Sequence, residues 1–157
     1  LVGDREGQGF YQAMKFFDTT RIMVSAQGVG LARGALDKSV RYVKERTAFG
    51  KPLAAFQITQ QKIAEMAIRV EATRNLVYKS AWLLDQGQVD PVLNSITKYY
   101  AGETGVFCAN YGVELHGGYG YIDEYEVQRY YRDAKILQLY EGTKEAEVLA
   151  IARRLLA

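Results

Sequence analysis

An all-α, up-and-down bundle of the four-helix type, made of long helices plus a short C-terminal helix, is what this sequence predicts. Three observations point there. Apolar residues recur at helical spacing over long runs. The two prolines, Pro52 and Pro91, fall where such runs meet, and no segment alternates convincingly enough for a strand. At 157 residues the chain has the length of one domain with a sizeable core, and it carries no internal repeat.

The first run spans residues 10 to 45, with Met14, Phe17, Val24, Leu31, Ala35, Leu36, Val40 and Val43 near one face. Gly28, Gly30 and Gly34 interrupt its middle; they weaken an isolated helix but let another helix approach closely. Asp18 is positioned to cap a restart, which would make two helices of this run. The second helix covers residues 58 to 86 through Ile63, Met66, Val70, Val77, Ala81 and Leu84. Asp90-Pro91 opens a third with a cap residue and a proline at the first helical position. That helix carries Ile96, Tyr99, Val106 and Val113 toward Gly117-Gly118, a natural C-terminal stop. Asp123 and Glu126 have capping-box spacing for a fourth helix through Val127, Tyr130 and Ala134. The last follows Thr143, with Glu145 and Glu147 in its first turn, where the helix dipole favours acids.

Composition narrows the function. Net charge is +2 and the basic residues are interspersed with acids, unlike the basic stripe of a nucleic-acid binder. No apolar run reaches membrane-spanning length. Cys108 is the sole cysteine, so no internal disulfide forms and a reducing compartment is expected, with Cys108 a small core residue. With one histidine, His116, and no cysteine cluster, no metal site is expected. The chain begins at Leu1, without Met, and is expected to be a fragment of a longer protein.

Three loops carry candidate chemistry. Around Arg46-Thr47-Ala48-Phe49-Gly50-Lys51-Pro52, with Phe56-Gln57 beyond, Arg offers a rigid donor fork suited to phosphate, Phe a stacking face and Gly a sharp turn. The alternative is an ordinary basic helix end. In Glu114-Leu115-His116-Gly117-Gly118-Tyr119-Gly120, three glycines permit close backbone approach and N–H groups aimed at an anion; the alternative is a capped helix with a flexible loop. In Leu139-Tyr140-Glu141-Gly142-Thr143, a lone carboxylate sits in a break between helical stretches. Placed in an apolar pocket it would be driven toward neutrality, as a general base requires; the alternative is a solvated loop acid. Just upstream, Arg132 and Asp133 form an ion-rich turn expected to hold the chain locally.

Taken in order, these segments resemble the C-terminal helical domain of the acyl-CoA dehydrogenase family. The matching pieces are Phe17-Asp18-Thr19-Thr20-Arg21, Glu45-Arg46-Thr47-Ala48-Phe49-Gly50-Lys51, Phe56-Gln57, Gly117-Gly118-Tyr119-Gly120, Arg132-Asp133-Ala134-Lys135 and Tyr140-Glu141-Gly142-Thr143. The resemblance covers essentially the whole chain. It implies that residues 1–10 end a preceding β-domain and that residues 11–157 form the helical bundle.

The activity it implies is FAD-dependent dehydrogenation of an acyl-CoA to a trans-2-enoyl-CoA. A base takes the pro-R α-proton and the β-hydrogen leaves as hydride to flavin N5. Glu141 holds the family's base position. Some members place the base directly before the Arg of the first helix, but Thr20 stands there. By the same matching, Arg46, Phe49 and Gln57 fall where the family contacts the FAD phosphates and adenosine. Gly117 and Gly118 fall where backbone approaches the ADP portion, often from a neighbouring subunit. Thr143 touches FAD, Asp18 and Arg21 lie along the acyl-CoA path, and Gly142 sits beside the base.

Two positions depart from the family, which usually has Gln where this chain has Glu114 and often Gln where it has Glu145. Both remain assigned to cofactor binding. An acid near pyrophosphate repels it unless it hydrogen-bonds ribose or a backbone amide instead. The implied partners are an electron-transferring flavoprotein and further copies of the chain, as a tetramer or dimer. The implied location is the cytoplasm, or the mitochondrial matrix in a eukaryote. Nine of the 12 tyrosines lie between Tyr99 and Tyr140, more hydroxyls than one bundle core easily satisfies, which also points to self-association. An acyl-CoA oxidase using dioxygen is the nearest enzyme alternative. A non-catalytic helical oligomerisation module is the alternative of another class. The isolated fragment is expected to be inactive.

Overall fold

The computed structural model describes residues 3–157; Leu1 and Val2 of the expected linker lie outside the described residues. Five α-helices follow one another: α1 Gly9–Glu45, α2 Gln57–Asp85, α3 Pro91–His116, α4 Val127–Ile136 and α5 Lys144–Leu155. Between α1 and α2 lies a two-residue-per-strand antiparallel hairpin, β1 Thr47–Ala48 with β2 Lys51–Pro52. The all-α expectation holds. Three helices are long, and α4, at 10 residues, is as short as α5, at 12. Among the described residues no helix is long and apolar enough to cross a membrane.

Helix α3 is the axis of the fold, with α1, α2, α4 and α5 packed around it. Its buried face is built from small and polar residues, among them Ser95, Thr97, Ala101, Gly102, Thr104, Gly105, Cys108, Ala109 and Gly112. The facing side of α1 is similar: Ser25, Gly28, Ala32, Ala35 and Ser39. Small side chains bring the helix backbones close. A Cβ on Gly28 would come within 3.0 Å of the Ala101 carbonyl oxygen, and one on Gly102 within 3.0 Å of the Leu137 carbonyl oxygen. Hydroxyls buried between α2 and α3 pair with each other, as Thr73 with Thr104 at 2.8 Å and Ser80 with Thr97 at 3.0 Å, so burying them costs little.

Three local expectations are corrected. Helix α1 runs unbroken through Asp18, whose side chain accepts from Arg21 instead of capping a restart. The capping box at Asp123 and Glu126 does not form; α4 begins without a side-chain cap bond. Arg132 and Asp133 lie exposed on α4 and make no ion pair among the described residues, so they do not hold a turn. The other caps form as read. Asp90 Oδ1 accepts from the amides of Val92 and Leu93, both at 3.0 Å, and Thr143 Oγ1 accepts from Ala146. Gly117 ends α3 with φ +60°, a conformation that glycine adopts without strain.

Candidate functional site

The chemistry-bearing residues gather at two ends of the bundle. At one end, the segment between α4 and α5 turns sharply. Glu141 has φ +56°, left-handed and strained for a residue with a Cβ, and Gly142 follows at φ +105°. Such a conformation persists only where the surroundings over-determine it, and here they do. Arg21 Nε donates to the Glu141 carbonyl oxygen at 3.3 Å, and Lys98 Nζ donates to that of Gly142. The Glu141 side chain is fixed separately: Thr20 Oγ1 donates to its Oε2 at 2.5 Å. Its Oε1 is left without a hydrogen-bond partner among the described residues.

The loop acid is therefore half-buried rather than solvated, and Thr20, Arg21 and Lys98 give it a polar and cationic setting rather than the apolar pocket that the sequence left open. Sequence reading missed two of these neighbours. Thr20, unable to act as a base itself, gives no sign in the sequence of being the hydrogen-bond donor to Glu141. Lys98 had no signal beyond its place on the buried stripe of α3; it is 1% exposed, and burial pushes its ammonium below the usual lysine range. Asp18 and Arg21 do come to this end. Arg21 Nη1 reaches Asp18 Oδ1 at 3.4 Å and Ser95 Oγ at 3.5 Å.

At the other end a pocket of about 610 Å³ opens between the α1 terminus, the start of α2 and the end of α3. Arg46, Glu114, Gly117 and Gly118 all line it, with Tyr42, Lys62, His116 and Tyr119. The donor set suits an anionic, aromatic-bearing group: two cations, exposed glycines with no steric obstruction at Gly117 or Gly118, and ring faces. Arg46 lies over the Tyr119 ring at 5.3 Å, and His116 stacks on Tyr42 at 4.0 Å. His116 Nδ1 is within 2.8 Å of the Gly112 carbonyl oxygen, and burial lowers its proton affinity, so its role is that of a packed wall.

Glu114 is not a loose acid in this pocket. Lys62 Nζ donates to its Oε2 at 2.6 Å and Asn110 Nδ2 to its Oε1 at 2.7 Å. The Lys62 hydrogen bond, aided by Asn110, holds its carboxyl below the usual range. Its partner is thus a lysine, which offsets the repulsion expected for an acid near phosphate.

The remaining candidates are not drawn into either centre. Phe49 sits on the hairpin tip at φ +51°, 96% exposed, edge-on to Phe56. Gln57 is exposed at the first position of α2. Thr143 and Glu145 are exposed at the start of α5, Glu145 beside Tyr99, Val148 and Leu149. Cys108 is fully buried near the Met66 carbonyl, and burial pushes its thiol up to about 12, which fits its expected core role.

Comparison with known proteins gives this geometry a context. Residues 7–156 match the family profile described as acyl-CoA dehydrogenase, C-terminal domain. The chain is 46% identical over 156 residues to an acryloyl-CoA reductase (NADH) of Anaerotignum propionicum, covering 99% of this chain and 39% of that protein. It is 44% identical over 150 residues to the caffeyl-CoA reductase-Etf complex subunit CarC of Acetobacterium woodii, covering 95% of this chain and 39% of that protein. Its fold superimposes on butyryl-CoA dehydrogenase of Megasphaera elsdenii with a TM-score of 0.95 and 44% identity, covering 98% of this chain and 40% of that one. The chain thus spans well under half the length of the relatives it matches.

Proposed function

The chain belongs to the acyl-CoA dehydrogenase family, whose C-terminal domain it matches over nearly its whole length, and from that premise we propose that Glu141 is the base of an FAD-dependent acyl-CoA dehydrogenase. The observation that carries this is the mounting of Glu141. A strained loop presents one carboxylate with Oε2 held by Thr20 and Oε1 free to take a proton. An ordinary solvated loop acid has no need of a left-handed backbone held at two carbonyls.

In this reading the chain's residues divide the work. Glu141 Oε1 removes the α-proton of the thioester, while Thr20 fixes its rotamer. Arg21 and Lys98 fix its backbone, and Gly142 gives the thioester close access. Arg46, Lys62, Gly117 and Gly118 would hold the phosphates of FAD, with Tyr42 and Tyr119 as faces for its adenosine. The bound flavin supplies the acceptor for the β-hydride. Phe49, Gln57, Thr143 and Glu145, exposed in this chain, would meet the cofactor from surfaces brought up by a second copy; the clustered tyrosines and the many exposed apolar side chains support such an assembly.

An electron-transferring flavoprotein would be the electron acceptor, supported by the Etf-complex relative. The reductase names among the relatives concern the same bond, and by microscopic reversibility the same carboxyl would return the α-proton. The test is a panel of acyl-CoAs mixed with the full-length, FAD-loaded protein, with flavoprotein and dioxygen as alternative acceptors. Flavin bleaching followed by reoxidation through the flavoprotein is expected. Reoxidation by dioxygen alone would make it an oxidase, and no bleaching with any acyl-CoA would leave the helical module reading.

A further inference from the structure

Glu147 is the buried charge that the function above does not use. It belongs to the first turn of α5, where an acid ordinarily faces solvent and complements the helix dipole. Here it is 0% exposed, and neither carboxylate oxygen has a hydrogen-bond partner among the described residues. Its Oε1 lies 3.1 Å from Arg21 Nε, whose N–H is aimed at the Glu141 carbonyl instead. The same oxygen lies so close to Gly142 that a Cβ there would come within 2.1 Å of it.

A buried carboxylate without hydrogen bonds is costly unless opposite charges surround it. Those charges are Arg21 and Lys98, and their attraction to Glu147 is mutual: burial works against the charge of Lys98, and Glu147 does more than any other neighbouring acid to support it. Both cations have second jobs, donating to the carbonyls of Glu141 and Gly142 respectively. Asp18 offers Arg21 a partner on α1; Lys98 forms no ion pair among the described residues, and it and Glu147 meet at Gly142, where Lys98 donates to the carbonyl and Glu147 Oε1 presses on the Cα. We propose that Glu147 is a positioning residue: its buried carboxylate holds Arg21 and Lys98 beneath the loop, so that their two donated hydrogen bonds keep Glu141 in its left-handed, base-competent pose.

The inference rests on Glu141 acting as the base for its kinetic consequence, but not for its structural one. The test is Glu147→Gln, nearly isosteric and uncharged, in the full-length FAD-loaded protein. Amide hydrogen exchange across residues 137–147 should quicken by about tenfold or more, with exchange in α2 and the α1–α3 seam unchanged. Flavin reduction by acyl-CoA should slow on the order of 10²-fold, the effect of a misplaced reacting group, while the half-saturating acyl-CoA concentration stays near wild type. Exchange unchanged in the loop, or raised equally throughout the domain, would overturn the proposal, as would a loosened loop with an unaltered reduction rate.

If Glu147→Gln does not fold, Lys98→Met with Glu147→Met removes both buried charges and leaves an apolar pair. It should fold, exchange fast in the loop and reduce flavin slowly; wild-type behaviour in both respects would overturn the clamp. The exchange comparison needs no substrate. Absence of flavin reduction in the wild type would therefore sink the dehydrogenase reading while the clamp was still decided by exchange.

Discussion

The two ends of the bundle are finished to different degrees. At the base end every group that shapes the loop comes from this chain: α1 supplies Thr20 and Arg21, α3 supplies Lys98, and α5 supplies Glu147. Arg21 meets Asp18, Ser95, Glu141 and Glu147 at once. At the pocket end, cations and ring faces line an open cavity, and Phe49, Gln57, Thr143 and Glu145 stay on the surface. Under the proposed function the difference teaches that proton abstraction needs a pose fixed within one chain, whereas a long cofactor would be gripped by surfaces that further domains or copies complete.

The contrast can be broken at the base end most severely through Gly142. In Gly142→Ala a Cβ would sit 2.1 Å from Glu147 Oε1, on a backbone with φ +105°. The strain costs about 1–3 kcal/mol, and the displaced base should slow flavin reduction on the order of 10²-fold. Stopped-flow absorbance under anaerobic conditions reads this directly.

At the pocket end Arg46→Ala should weaken FAD retention about tenfold to a hundredfold, the worth of a lost charge-assisted hydrogen bond, with the reduction rate of the loaded fraction nearly unchanged. Equal FAD affinity in a titration would return Arg46 to a helix-end charge over Tyr119. Asp90→Ala, at the start of α3 and outside both centres, should cost about 1 kcal/mol of stability through loss of the α3 cap, seen in denaturant unfolding, without altering either function.

The smallest effect concerns Glu114. Its carboxyl is held below the usual range by Lys62, so the pair stabilises the fold above the ordinary carboxylate range and that contribution is lost as pH falls through the lowered folded-state value. The pair is partly exposed, so the effect is small and weakened by salt. Glu114→Gln should flatten the acid side of the thermal-stability profile slightly and tighten FAD a few-fold at most, since Lys62 then faces the phosphates unpaired.

Much of this was legible in the chain because local chemistry dictates it. Asp90-Pro91 is a helix start in any context, and Gly117 a stop. What the sequence concealed has a common cause. Apolar periodicity tracks large side chains, yet the deepest seams of α1 and α3 are made of Ser, Gly, Ala and Thr, while Met14 and Ile96, read as core-facing, are exposed. On such a stripe Lys98 looks like a surface residue. Glu147 looks like a dipole acid, because nothing local reveals that Gly142 lets it press against the loop. Glu141, the proposed base, is legible as a lone acid in a break, but its polar setting depends on residues distant in sequence, above all Thr20 and Arg21 on α1.

The most direct test of the account is anaerobic mixing of the full-length, FAD-loaded Glu141→Gln protein with an acyl-CoA that bleaches the wild type. The substitution keeps the side chain's shape and an acceptor for Thr20 but removes the basic oxygen. The account predicts that acyl-CoA still binds while flavin absorbance stays oxidised, with the reduction rate down by about 10²–10⁴-fold. Bleaching at the wild-type rate would contradict it and place the base on another residue.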